Sequence, residues 1–254
     1  MVESVLKTTI MKTLISFCTI LLFYLILPSV IICSDNITLV DNFDSLDSNR
    51  WEKVVPYLGR NLEKIKFKEV EISSQSDRLI LKTAENAYSK GALSSRFALK
   101  GDFDVEVWSS LSNIDIKGID KVMFVAVREA DKEHKEANIT IVQFHKAINN
   151  DQGMFFAASK IGENFKRGTT YMINSYTGGI RFIRKDNRIT IMYKPLNMGW
   201  MELDSYPCSF APMQILLGVS NFLPTDTPIN PGGVLTVYYD DFKINNAGAV
   251  QYLK

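Results

Sequence analysis

Cysteine is nearly missing from this chain, and its placement excludes a disulfide framework. Of three cysteines, Cys18 and Cys33 fall in one apolar N-terminal run, which leaves Cys208 alone in the remainder. An isolated cysteine is ordinarily a small core hydrophobe, so Cys208 is not read as a nucleophile. Histidine is as scarce. His134 and His145 are the only two, and nothing has the spacing of a zinc site. Net charge is missing as well: 29 Lys and Arg stand against 28 Asp and Glu, a formal +1. A chain so balanced creates no strong field, which argues against nucleic acid or an anionic membrane surface as partner. No internal repeat, low-complexity tract or long segment of helical periodicity is found either.

What is there begins with an export segment. Residues 14–33, LISFCTILLFYLILPSVIIC, carry no charge and follow Lys12 in the polar start Met11-Lys-Thr. This reads as a secretory signal with Met11 as initiator, and Ile32-Cys33-Ser34 offers a cleavage pattern that starts the mature chain at Asp35. An uncleaved anchor is the alternative, because about 20 apolar residues span a bilayer. Residues 1–34 are therefore a signal peptide or membrane anchor, and residues 35–254 are one domain. Either way that domain lies outside the cytoplasm, and membrane contact is expected only through the N-terminal segment.

The domain is expected to be all-β, an antiparallel sandwich of two sheets. Alternation is clearest in Asp102-Phe-Asp-Val-Glu-Val-Trp108, where Phe103, Val105 and Val107 share one face and Asp104, Glu106 and Trp108 the other. Comparable runs occupy 78–83, 122–128, 138–146, 154–160, 180–184, 188–194, 214–220 and 235–244. This many short strands at this spacing predicts a sandwich. Lys185-Asp-Asn-Arg188 predicts a hairpin, since Asp and Asn tolerate the left-handed backbone of a tight turn. Polar stretches at 131–137, 163–170 and 223–233 are expected to be rim loops. The charged run 129–136 reads as a solvated loop, and 64–71 as an exposed edge.

Several pieces, in their order along the chain, resemble the concanavalin A-like lectin/glucanase superfamily. They are Asp41-Asn-Phe-Asp44 followed by Trp51, then Gly91-Ala-Leu-Ser-Ser-Arg96 leading into Gly101-Asp-Phe-Asp-Val-Glu106. Arg181-Phe-Ile-Arg184 with Trp200-Met-Glu-Leu203, and Val237-Tyr-Tyr-Asp-Asp-Phe242 as closing strand, complete the likeness. The resemblance implies a jelly roll of two curved sheets, the concave one a groove that commonly binds polysaccharide. It leaves function open, because lectins, hydrolases, lyases and structural modules share this fold. Similar sandwiches often hold a structural calcium ion, and Asp240 matches the aspartate of the last strand that binds it. Calcium takes about six to eight oxygen ligands, most of which backbone carbonyls would supply.

Retaining glycosidases need two carboxyl groups about 5 to 5.5 Å apart. In the laminarinase-like enzymes of glycoside hydrolase family 16 these come from a strand with the pattern E-x-D-x-x-E, and this chain lacks that string. By order along the chain, the matching strand starts at Asn138, which places Asn138, Thr140 and Gln143 at the acidic positions, with His145 continuing the face. Amides can act neither as nucleophile nor as general acid, so hydrolysis by that route is lost while hydrogen bonding to sugar hydroxyls remains. The bland reading, solvent-facing strand residues, stays open for all four. Trp108 and Trp200 are the candidate sugar platforms, and Trp51 is assigned to the core. Arg128 and Arg184 are read as structural cations.

Three functions follow from this reading. The first is a non-catalytic carbohydrate-binding or cell-surface module, with Trp108, Asn138, Thr140, Gln143, His145 and Trp200 as binding residues. The second is a divergent glycoside hydrolase or polysaccharide lyase using Asp104 and Glu106, which stand roughly 6 to 7 Å apart along their strand. The third is a protein-binding structural surface domain. Asn36-Ile-Thr38 and Asn138-Ile-Thr140 fit the N-glycosylation acceptor pattern.

Overall fold

The computed structural model describes residues 37–55, 67–85, 87–112, 121–130, 132, 136–146, 152–221 and 234–253. Residues 1–34, His134, residues 223–233 and most of 131–137, where an export segment and rim loops are expected, lie outside them. The described chain forms fifteen strands. In chain order they are β1 (Leu39–Asp41), β2 (Trp51–Val54), β3 (Glu71–Ser74), β4 (Leu79–Lys82), β5 (Lys90–Ser95), β6 (Phe97–Ser112), β7 (Lys121–Glu129) and β8 (Ile139–Lys146). There follow β9 (Gly153–Ile161), β10 (Asn164–Ile173), β11 (Thr177–Lys185), β12 (Arg188–Pro195), β13 (Met201–Pro207), β14 (Met213–Ser220) and β15 (Thr236–Tyr252).

These strands build two antiparallel layers. The first sheet runs β2-β5-β14-β7-β8-β9-β10, and the second runs β13-β12-β11-β6-β15, with β4 and β1 on the far edge of β15 and β3 beyond β4. A single pair, Met213 with Leu99, joins the two ladders. Alternation explains why they face each other. Met123, Val125, Val127, Val142, Phe144, Ile215 and Leu217 from the first sheet meet Val105, Val107, Ile180, Phe182, Ile189, Val237 and Ile244 from the second in one buried cluster. Two tyrosines tie the layers as well as fill them. Tyr206 Oη donates to the Ala157 carbonyl at 3.0 Å, and Tyr239 Oη lies 2.8 Å from both the Phe124 and Gly218 carbonyls. Trp51 sits in the core against Phe43, Phe97 and Phe242.

The hairpin at 185–188 forms as expected, with Asp186 at φ 54° and its neighbours Lys185 and Arg188 paired. Three local expectations need correction. Residues 164–173 are a strand and not a rim loop: β10 pairs along β9, entered through Gly162 at φ 58°. As an edge strand exposed along almost its whole length, it needs no apolar alternation, the signal by which strands are read. Glu129, expected in a solvated run, closes β7 and is buried, accepting hydrogen bonds from Lys132, Ser209 and Asn138. Thr140 points into the core beside Ser159 at 3.3 Å. β8 pairs residue for residue with β7 and β9 without a bulge, so its faces alternate strictly and Thr140 cannot share a face with Gln143.

Candidate functional site

On the outer face of the second sheet, the face turned away from its partner sheet, the structure brings two tryptophans together. In β6, Val107 and Ser109 are buried, which turns Trp108 outward. Its cross-strand neighbours are Gly179 of β11 and Asp240 of β15, and Gly179 is paired in turn with Lys194 of β12. Trp200 precedes β13 and lies over Gly179, where an added Cβ would stand 2.8 Å from the indole Cη2. The glycine therefore leaves a trough that the Trp200 ring fills. Lys194 Nζ is 5.9 Å from the centroids of both Trp108 and Trp200, and Arg181 Cζ is 5.6 Å from Trp200. Both tryptophans are half-buried. Beside Trp108 opens a cavity of about 310 Å³, lined also by Ser110, Thr177, Leu196, Tyr238, Arg78 and Asp240. An apolar ring face bordered by hydroxyls, an ion pair and a tyrosine suits a ligand that presents both C–H faces and hydroxyl groups.

Below this row lies a charge network. Arg181 donates through Nε to Asp104 Oδ1 at 2.7 Å and through Nη2 to Asp104 Oδ2, with Glu106 Oε2 at 3.9 Å from Nε. Asn245 Nδ2 donates to Asp104 Oδ1 at 3.3 Å and to Glu106 Oε2 at 3.0 Å. The Asp104 hydrogen bonds push the Arg181 pKa up, so the guanidinium holds its charge. Both carboxylates are thereby engaged as acceptors, an arrangement that positions Arg181 under Trp200. Asp240 faces Arg78 at 3.6 Å and takes its own neighbour's amide, Asp241 N–H, on Oδ1 at 2.8 Å. Among the described residues no three acidic, histidine or cysteine side chains converge. A guanidinium at Asp240 does not fit a calcium ion there.

The remaining candidates lie on the opposite side of the molecule. Gln143 and His145 point outward from β8 on the first sheet, with Phe124 and Phe156 as the strand neighbours of Gln143. Asn138, just before β8, donates to Glu129 and accepts from Gly162 N–H at 2.8 Å, so its amide is committed to a turn. Part of this outer face is apolar: Ala92, Val122, Phe124, Ala126 and Leu216 form a buried cluster joined by Val54, Ile139 and Ile141. By alternation, Glu52 is the one carboxylate at an outward strand position of this sheet among the described residues. Arg128 donates to Gln214 at 3.1 Å, and burial lowers its pKa against the opposing pull of Glu52. Arg184, buried, donates to the Ala211 carbonyl at 2.7 Å.

The set read from sequence is thus divided. Trp108, Trp200 and Asp240 share the second sheet's outer face, Gln143 and His145 the first's, and Thr140 is interior. Sequence reading did not select Lys194, Tyr238, Gly179 or Arg181 for this site. Lys194 and Arg181 have the outward parity of their strands, a signal that was present but becomes specific only once β6, β11 and β12 are known to be adjacent.

No family model and no curated protein matches the chain. Solved structures do. A Bacillus licheniformis beta-glucanase shares 12% identity over 82% of this chain and 97% of its own, with a TM-score of 0.58. LamAcat from Zobellia galactanivorans shares 13% over 83% and 97%, TM-score 0.55. The CBM2 module of the evolved Dit of Lactobacillus casei BL23 phage J-1 shares 10% over 83% and 97%, TM-score 0.56.

Proposed function

We propose that this concanavalin A-like jelly roll is an exported, non-catalytic module that binds polysaccharide through the Trp108–Trp200 face of its second sheet. The observation that carries the reading is the convergence of two half-buried tryptophans about Gly179 and Lys194, one of which, Trp108, lines a cavity of about 310 Å³. Sugar rings present C–H faces that stack on indoles, and Ser110, Thr177 and Tyr238 supply hydroxyl partners at the border. The likeness of fold to glucanases is consistent with this class of ligand. Binding without hydrolysis is favoured because Glu52 has no second carboxylate beside it on the first sheet's outer face among the described residues. On the second sheet, Asp104 and Glu106 are held by Arg181 and Asn245. A glycosidase of either stereochemistry needs a pair of carboxyl groups flanking the scissile bond.

The test uses the full chain purified in a sugar-free detergent and incubated with a panel of polysaccharides. Bound protein and released reducing ends are scored in the same tubes. Binding without release is expected, reduced about tenfold by Trp108→Ala, which corresponds to about 1.4 kcal/mol. Release of reducing ends that is abolished by Asp104→Asn would replace this reading with a hydrolase. Silence across the panel would replace it with a protein-binding surface domain.

A further inference from the structure

We propose that the Trp108–Trp200 site selects an anionic sugar, with the acid group of a uronate or a sulfated residue seated on Lys194 Nζ. The inference rests on the sugar-binding reading of this face and adds the chemical class of the ligand.

The cations around the site have partners, with one exception. Arg181 is engaged by Asp104 and lies near Glu106, Arg78 faces Asp240 at 3.6 Å, and Lys243 faces Asp241 at 3.9 Å. Lys194 has no carboxylate partner among the described residues. Its ammonium is instead 5.9 Å from two indole centroids at once. That position has a consequence for the ligand. A neutral sugar stacking on these indoles competes with the ammonium for their electron-rich faces, and offers it only uncharged hydroxyl acceptors in return. An acid group on the sugar draws the ammonium toward itself and leaves the ring faces to the pyranose. Hydrogen bonds between an ammonium and a carboxylate or sulfate are roughly twice as strong as neutral ones.

The residue type suits this movement. The long flexible stem of lysine lets its charge swing from ring to ligand, whereas Arg181, clamped by two bonds to Asp104, cannot follow. Recognition of one acid group by one ammonium is also compatible with a chain of formal charge +1, since it requires no basic field.

Matched polymers separate charge from shape. Polygalacturonate is compared with its carboxyl-reduced form, and carrageenan with its desulfated form, using the full chain and titration calorimetry. The charged member of at least one pair is expected to bind about tenfold more tightly than its neutral partner. Lys194→Gln should erase that preference, bringing the charged and neutral members to equal affinity, and Lys194→Arg should keep most of it. Trp108→Ala should weaken both members. The pair that responds identifies the acid as carboxylate or sulfate. Equal binding of charged and neutral members, or a preference that survives Lys194→Gln, overturns the proposal and leaves sugar binding standing. If no polymer binds at all, the reading beneath it falls too.

Discussion

At Gly179 the missing side chain is what allows Trp200 to lie on the sheet. A methyl group there meets the indole Cη2 at 2.8 Å, a contact that real structures do not keep. The backbone at this position is not left-handed, so a side chain would be opposed by the indole and not by the backbone. Gly179→Ala is expected to lift the Trp200 ring and to cost about 1 kcal/mol of stability from overpacking. Tryptophan emission should shift to longer wavelength as the ring enters water, and polysaccharide binding should fall in parallel. An unshifted spectrum with normal binding would show that the trough is not what seats the ring. The tryptophans themselves were visible in the sequence; their meeting was not. Trp108 and Trp200 stand on elements linked only through β11 and β12, so no local pattern places them together.

At the scale of elements, the end of β7 depends on one buried acid. Burial raises the Glu129 pKa, but bonds from Lys132, Ser209 and Asn138 outweigh it, and the net displacement is downward. A carboxyl whose folded pKa lies below its unfolded value, about 4.3, stabilises the fold above that pH and loses its contribution as pH falls through the folded pKa. Glu129→Gln should therefore destabilise the protein at pH 7 by about 1 to 3 kcal/mol. The gap to wild type should narrow at pH 3, as read from urea midpoints at the two values. A gap that stays constant would mean the carboxylate's charge does not matter. Elements with at least one buried face were legible: β4, β6, β7, β8, β9, β11, β12, β14 and β15 all coincide with alternating or apolar runs. β10 was not, because an exposed edge strand leaves no periodic trace in its residues. The face assignment of Thr140 failed for a related reason, since a bulge is a property of pairing and not of the strand's own sequence.

For the whole molecule, the two sheets carry different chemistry on their outer faces. The first is apolar around Phe124 and Leu216, and the second is aromatic and charged around Trp108 and Arg181. The fold class and the layer arrangement followed from alternation and from the ordered resemblance, but which face would gather the functional groups did not. That choice depends on how β6, β11 and β12 align, a register spanning residues 103 to 195. The arrangement at Asp240 also bears on ion dependence. With Arg78 opposite it, chelation by EDTA is expected to leave the thermal midpoint unchanged. A fall of several degrees would assign a bound cation to oxygens other than this pair.

β15 is the last of the described strands, yet it lies inside the second sheet, with β6 along one side and β1 and β4 along the other. Its partner on the inner side, β6, is synthesised more than a hundred residues earlier, so the pairing closes a long loop and is intrinsically slow. During translation at about 5 to 20 residues per second, β6 waits several seconds with that edge uncovered. The second sheet is thus expected to close only when its seventeen-residue strand Thr236–Tyr252 docks on β6, after the local hairpins β9–β10 and β11–β12 have formed.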